Sequence, residues 1–188
     1  IEDLSAIAKE FEAALLAVLE DRAEDDGFNR LVLGLGVTWR EAAFLRTCAR
    51  YRQQTGLDPS QAIQEEALGA HPDIARKLLA LAEIKFDPER SETVDERREK
   101  AEALGAEVRG DLEQVESLDH DRALRRILRL IEATLRTNFY QTDADGLPKP
   151  WISLKIASRM IRHLPEPKPY REIFVWSPRV EGVHIRFG

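Results

Sequence analysis

The sequence predicts a mainly α fold: a helical bundle with one long charged helix, followed by a small antiparallel strand region. Three observations carry that expectation. Apolar residues recur at three and four positions from Leu4 to Leu135, the helical period. Beyond Trp151 they alternate at every second residue, the strand period. Helix start and stop signals, among them TWRE, Asp58-Pro59 and Pro72, punctuate the first stretch.

Leu4, Ile7, Phe11, Leu15 and Val18 give the first helix one face to bury, with Asp3 or Ser5 as its cap and an end near Arg22. DRAEDDG is an acidic turn. Phe28, Leu31, Val32 and Leu35 then predict a short apolar helix ending among Gly34 and Gly36. In TWRE, residues 38–41, the Thr38 hydroxyl can accept from the Glu41 amide while the Glu41 carboxylate accepts from the Thr38 amide, a capping box. The helix it opens is expected to reach about Gln54 and to stop at Gly56, with Ala42, Leu45, Cys48 and Tyr51 on a broad apolar face. Asp58 and Pro59 start another, ending near Gly69, because proline costs no hydrogen bond in a first turn. Pro72 opens the next, where Ile74, Leu78, Leu81 and Phe86 share a face before Asp87 and Pro88 interrupt it.

From Ser91 to Leu118 a single narrow apolar stripe runs through strongly charged sequence, predicting one helix about 40 Å long. Gly105 and Gly110 are places for it to bend. Its charged face reads as solvated surface, with a lever or coiled-coil interface as the alternative. SLDHDRALRRILRLIEATLRTNFY predicts a strongly amphipathic helix to about Asn138, with Leu124, Ile127, Leu128, Ile131 and Leu135 on its stripe. Arg122, Arg125, Arg126, Arg129 and Arg136 line the other face, and Asp119, Asp121 and Glu132 lie at the spacing of surface ion pairs.

After the loop TDADGLPKP, Ile152, Leu154 and Ile156 alternate as a strand. Pro165, Pro167 and Pro169 predict an extended, polyproline-biased connector. Ile173–Trp176 is apolar at every position, the pattern of a strand buried inside a larger sheet, and SPRVEG turns into a last strand with Val183, Ile185 and Phe187 on one side. Two or three such strands alone are barely stable and leave open edges. This, with Ile1 at the start and Met160 as the one methionine, leads to the expectation of a segment of a longer or processed chain.

The 188 residues are 43% hydrophobic and 33% charged, a globular composition, and no apolar run approaches the roughly 20 residues that cross a bilayer. A soluble protein in a reducing cytoplasm is expected, since Cys48 has no cysteine to pair with. The net charge of −6 hides an asymmetry: residues 1–118 carry 15 Lys and Arg against 26 Asp and Glu, residues 119–188 carry 13 against 8. The domain division is therefore placed at residue 118, with a helical connecting region before it. The cationic half can dock on the acidic half or on other domains, and interleaved acids argue against a nucleic-acid partner.

No catalytic constellation emerges. His71, His120, His163 and His184 show no ligand spacing along a helix, and one cysteine excludes a cysteine-rich zinc centre, so no metal site is expected. Cys48 falls on an apolar helix face, where a thiol is inert. Gly34-Leu35-Gly36 lacks the third glycine and the preceding strand of a dinucleotide fingerprint. Glu24-Asp25-Asp26 reads as a solvated turn rather than a general acid and base.

The stretches GVTWREAAFLRTCARYRQQTG, LDHDRALRRILRLIEATLRTNFYQ, KPWISLKIASR and LPEPKPYREIFVWSPRVEGVHIRFG, in this order, resemble the large multidomain bacterial NAD-specific glutamate dehydrogenases. The resemblance covers most of residues 36–56 and 118–188. It implies a segment joining amino-terminal regulatory modules to a catalytic core that oxidises L-glutamate to 2-oxoglutarate and ammonia, with 119–188 opening the substrate-binding part of that α/β core. The family's glycine- and arginine-rich substrate loop, its catalytic lysine and its NAD-binding fold are expected beyond Gly188. No catalytic, cofactor-binding or metal role therefore falls on any residue here. Arg186, Arg179 and Lys155 are candidates only for supporting a neighbouring site. The expected partners are the remaining domains of the same polypeptide and further copies of it, without membrane or nucleic acid. The alternative is a self-standing regulatory or oligomerisation module built on residues 91–118.

Overall fold

The computed structural model describes residues 4–54, 60–162 and 164–188. Among them seven α-helices precede a four-stranded sheet: α1 Leu4–Leu19, α2 Arg30–Leu35, α3 Trp39–Gln54, α4 Gln61–Ala70, α5 Pro72–Phe86, α6 Val94–Leu112 and α7 Leu118–Ala133. The strands β1 Thr134–Thr137, β2 Ile152–Ile156, β3 Arg171–Trp176 and β4 Glu181–Arg186 pair antiparallel in the order β1-β2-β3-β4. The Gly56 stop and the Asp58-Pro59 start signal, like Asp3, lie outside the described residues.

The local signals explain most boundaries. The Thr38 amide and hydroxyl both donate to Glu41 Oε2 at 2.8 Å, and the Glu41 amide donates to Thr38 Oγ1 at 3.2 Å, the reciprocal cap that opens α3. Gly36, at φ +68°, takes the left-handed conformation that ends α2 and that a side chain would resist. Pro72 stands at the start of α5.

Three expected elements end elsewhere. The helix expected over 91–118 is shorter, Val94–Leu112, and the separate helix expected from SLDHDRAL starts where the sequence placed it. A second capping box, Thr93 with Glu96, starts α6 at Val94, and after Leu112 a turn leads to Ser117, whose hydroxyl accepts from the His120 amide and starts α7. At 1.5 Å per residue α6 is about 28 Å long. The arginine-rich helix stops at Ala133 rather than Asn138, because Lys85 Nζ donates to the Ile131 and Glu132 carbonyls (2.8 and 2.7 Å), which another turn of helix would have needed. Thr134 Oγ1 donates to the Leu130 carbonyl, and the chain continues as β1, with Thr134 opposite Ile156. The proline connector bends at Glu166 and Pro167, so it is not one continuous extended run.

One core runs from α2 through α5 and α7 to the inner face of the sheet. α3 is buried over most of its surface and α7 contributes Leu124, Ile127, Leu128 and Ile131 as read from the sequence. On the sheet, Ile152, Leu154, Ile156, Phe174 and Trp176 face the helices. β3 is not covered on both sides as expected: Phe174 and Trp176 are buried but Ile173 is 38% exposed. α1 also departs from its apolar stripe, since it meets the bundle through the small residues Ala14 and Ala17 while Phe11 and Leu15 stay about half exposed.

Candidate functional site

The helix–sheet junction is built on polar groups that the strand period turns inward. Glu172, Phe174 and Trp176 occupy alternate positions of β3 and share its inner face. Tyr51, on the last turns of α3, donates its phenol hydrogen to Glu172 Oε2 at 2.7 Å, and both residues are buried. Its ring stands edge-on to Phe174 at 5.6 Å. Burial, and then the Glu172 carboxylate, raise the phenol well above its ordinary range, so it stays a donor.

One and a half turns earlier, Arg46 is fully buried and forks onto Asp26, with Nε to Oδ2 at 2.7 Å and Nη2 to Oδ1 at 2.6 Å. Its guanidinium lies over the rings of Phe28 and Trp176. The acidic turn is therefore only partly solvated: Asp26 anchors Arg46 and Glu24 pairs with Arg50, while Asp21 and Asp25 stay exposed. Arg46 falls on an apolar helix with no sequence signal that it is buried.

Beside this junction the inner face of β4 has no cover among the described residues. Register pairs Glu172 with Ile185 and Phe174 with Val183, so Val183, Ile185 and Phe187 point to the helical side. Yet they are 39%, 46% and 64% exposed. The Gln54 amide, on the last residue of α3, reaches Glu181 at the start of β4, and the Pro165–Pro169 segment forms the opposite bank. Between them lies a groove of about 380 Å³ with the Tyr51–Glu172 pair at its base. This apolar strand face is the candidate functional surface.

The cationic candidates do not converge. Lys155 and Arg186 stand on the outer face of the sheet, on β2 and β4, with β3 between them, and Arg179 sits in the β3–β4 turn, 3.4 Å from Asp21. His184 shares that outer face, and His163 lies outside the described residues. His71 and His120, separate in the sequence, are brought together, Nε2 to Nδ1 at 3.3 Å, where α4 turns into α5 against the first turn of α7. Burial, and then His120, lower the basicity of His71. The sequence hid this pair because 49 positions separate its members. Among the described residues no three His, Cys, Asp or Glu side chains are grouped to hold a metal. Cys48 is fully buried, and burial pushes its thiol far up. Along α7, Arg125 pairs with Asp121 and Glu113 at 2.7 and 2.8 Å, and the α7 residue Glu132 pairs with Arg109 of α6.

Two family descriptions divide the chain along this architecture. Residues 23–88, α2 to α5, match the glutamate dehydrogenase helical motif 3, and residues 107–188, from the end of α6 through the sheet, match the catalytic domain of bacterial NAD-glutamate dehydrogenase. The NAD-specific glutamate dehydrogenase of Pseudomonas aeruginosa is 44% identical over 186 residues, covering 99% of this chain. The chain belongs to this glutamate dehydrogenase family. The enzymes of Mycobacterium tuberculosis and Halomonas elongata are 41% and 42% identical over 100% and 95% of the chain. The chain spans 11% to 12% of the length of these relatives. No helix among the described residues is long and apolar enough to cross a membrane.

Proposed function

We propose that this segment joins the helical region of an NAD-dependent glutamate dehydrogenase to its catalytic core, and that it supplies the first strands of that core without supplying a reacting group. The polypeptide as a whole oxidises L-glutamate with NAD and water to 2-oxoglutarate, ammonia and NADH. Residues 1–118 serve as the helical connection and 119–188 as the start of the substrate-binding part. The exposed inner face of β4 carries this reading, because Val183, Ile185 and Phe187 form an apolar surface continuous with a buried sheet and lack a cover among the described residues. The rest of the core is the natural cover. Hydride transfer needs a nicotinamide held over the glutamate α-carbon and a base for the amine, and both are assigned to residues outside this chain. NAD thus binds elsewhere in a cytoplasmic homo-oligomer, and Lys155, Arg179 and Arg186 act at most as distant supporting charges.

The test compares the isolated segment with the full polypeptide. The purified 188-residue chain is expected to give no glutamate-dependent NAD reduction, and turnover above a mock preparation overturns the assignment. In the full polypeptide, Ile185→Asp is expected to lose activity and to open the core to limited proteolysis. Full activity in that variant removes β4 from the core interface.

A further inference from the structure

A second cavity, distant from β4, has one unsatisfied cation in its wall. It measures about 350 Å³ and lies where the start of α3 and the end of α5 meet the Phe139–Tyr140 corner that follows β1. Phe44, Phe86, Phe139 and Tyr140 line it, with Phe139 edge-on to both Phe44 (5.4 Å) and Tyr140 (4.9 Å). Arg40 also lines it, only 9% exposed. Of its guanidinium nitrogens only Nη2 has an acceptor, the Trp151 carbonyl at a long 3.4 Å, and Nε is sealed from solvent with no partner. The cation rests over the Phe139 ring, and no carboxylate among the described residues pairs with it. Burial alone brings it down to about 10, the mark of a charge desolvated without a counterion.

The acids in the wall are already occupied. Glu41 accepts from the Thr38 amide and hydroxyl, Glu83 from Arg90 Nη1 at 2.8 Å, and Asp87 from the Glu89 amide at 2.9 Å. Arg40 is the one cation among the residues lining this wall, no carboxylate among the described residues pairs with it, and the surfaces around it are ring faces and edges. We propose that this cavity is a binding site for a small aromatic monocarboxylate, whose carboxylate completes Arg40 and whose ring packs among Phe44, Phe86, Phe139 and Tyr140. A carboxylate matches the planar guanidinium fork, and an aromatic body matches the edge-to-face walls. A dianion such as a phosphate monoester is disfavoured, since one cation faces it together with Glu41, Glu83 and Asp87. Bound there, the ligand bridges α3 and α5 to the start of the sheet.

Phenylacetate is the probe, with phenethylamine and phenylphosphonate as charge controls, followed by calorimetry on the 188-residue chain. Saturable one-to-one binding of phenylacetate, tighter than either control, is expected. Arg40→Gln is expected to weaken it by about tenfold to a hundredfold. Ala82→Leu, which fills the cavity from α5 and leaves Arg40 in place, is expected to block it, and this variant decides the matter should Arg40→Gln fail to fold. The proposal is overturned by wild-type chain that does not bind phenylacetate, by equal or tighter binding of phenethylamine or phenylphosphonate, or by binding that survives Ala82→Leu.

Discussion

At the residue scale, the junction of helices and sheet depends on polar side chains whose partners are far away in sequence. Glu172 sits on the buried side of β3 because strand alternation puts it there, and the Tyr51 hydroxyl, 121 positions away, makes that position tolerable. Tyr51→Phe removes the donor and leaves the acceptor buried, which is expected to cost about 1–3 kcal/mol in a urea melt. A melt that superimposes on wild type removes the bond from the account. Lys85 gives a pH signature. Burial holds its ammonium down to about 8 against an ordinary 10.5, so above about 8 the folded chain releases the proton while the unfolded chain keeps it. Stability therefore rises with pH through that window. The neutral amine still has two hydrogens for the Ile131 and Glu132 carbonyls. Cys48 and Tyr51, both raised by burial, act in the opposite sense once the unfolded thiol begins to titrate near 9.0. Urea midpoints are thus expected to rise between about pH 7.5 and about pH 8.8 in wild type and to stay level in Lys85→Met. Equal slopes in the two proteins contradict the assignment. None of these partnerships was legible in the sequence: Tyr51, Cys48 and Lys85 fall in helical patterns, but what faces them is set by packing over long separations.

At the scale of elements, legibility follows how local the deciding interaction is. The α3 start was readable because both halves of its cap lie within four residues, and the stripe of α7 because its period is local. Thr38→Ala is expected to cost about 1 kcal/mol, and Thr93→Ala about the same at the start of α6, each read as a lowered urea midpoint. Unchanged midpoints show that the helix starts are held by packing instead. The start of α6 carried its signal too, Thr93-Glu96, and α7 begins at the SLDHDRAL start, but the apolar stripe from Val94 to Leu118 carried the expected helix past Leu112 into the turn before Ser117. The end of α7 carried no local signal. Its last carbonyls are taken by Lys85 from a neighbouring helix, and only the folded arrangement makes Leu135 and Arg136 strand residues rather than another turn.

At the scale of the whole molecule, the sheet ends in a strand whose apolar inner face stays exposed among the described residues. Alternation in residues 152–156 and 183–187 was enough to foresee the strands and an uncovered apolar surface, while the helical cover over Phe174 and Trp176 had no counterpart in the pattern. That cover changes how the surface is tested. Removing everything beyond Pro169 takes Phe174 and Trp176 out of the core that also holds Tyr51 and Leu45, and the helices are expected to loosen with them. A cleaner perturbation changes only residues that protrude. Val183 and Ile185 are 39% and 46% exposed on an edge strand, so lysine at both positions places charge on the groove while leaving the backbone ladder to β3 intact. The isolated wild-type chain is expected to self-associate as its concentration rises, because two apolar strand faces bury each other when the rest of the core is missing. The double variant Val183→Lys, Ile185→Lys is expected to remain monomeric in sedimentation velocity with an unchanged far-ultraviolet helix signal. Wild-type chain that stays monomeric at every concentration, or a double variant that associates equally well, shows that the β4 face is not the sticky surface; loss of helix signal in the variant shows that β4 supports the helical core as well as its own interface.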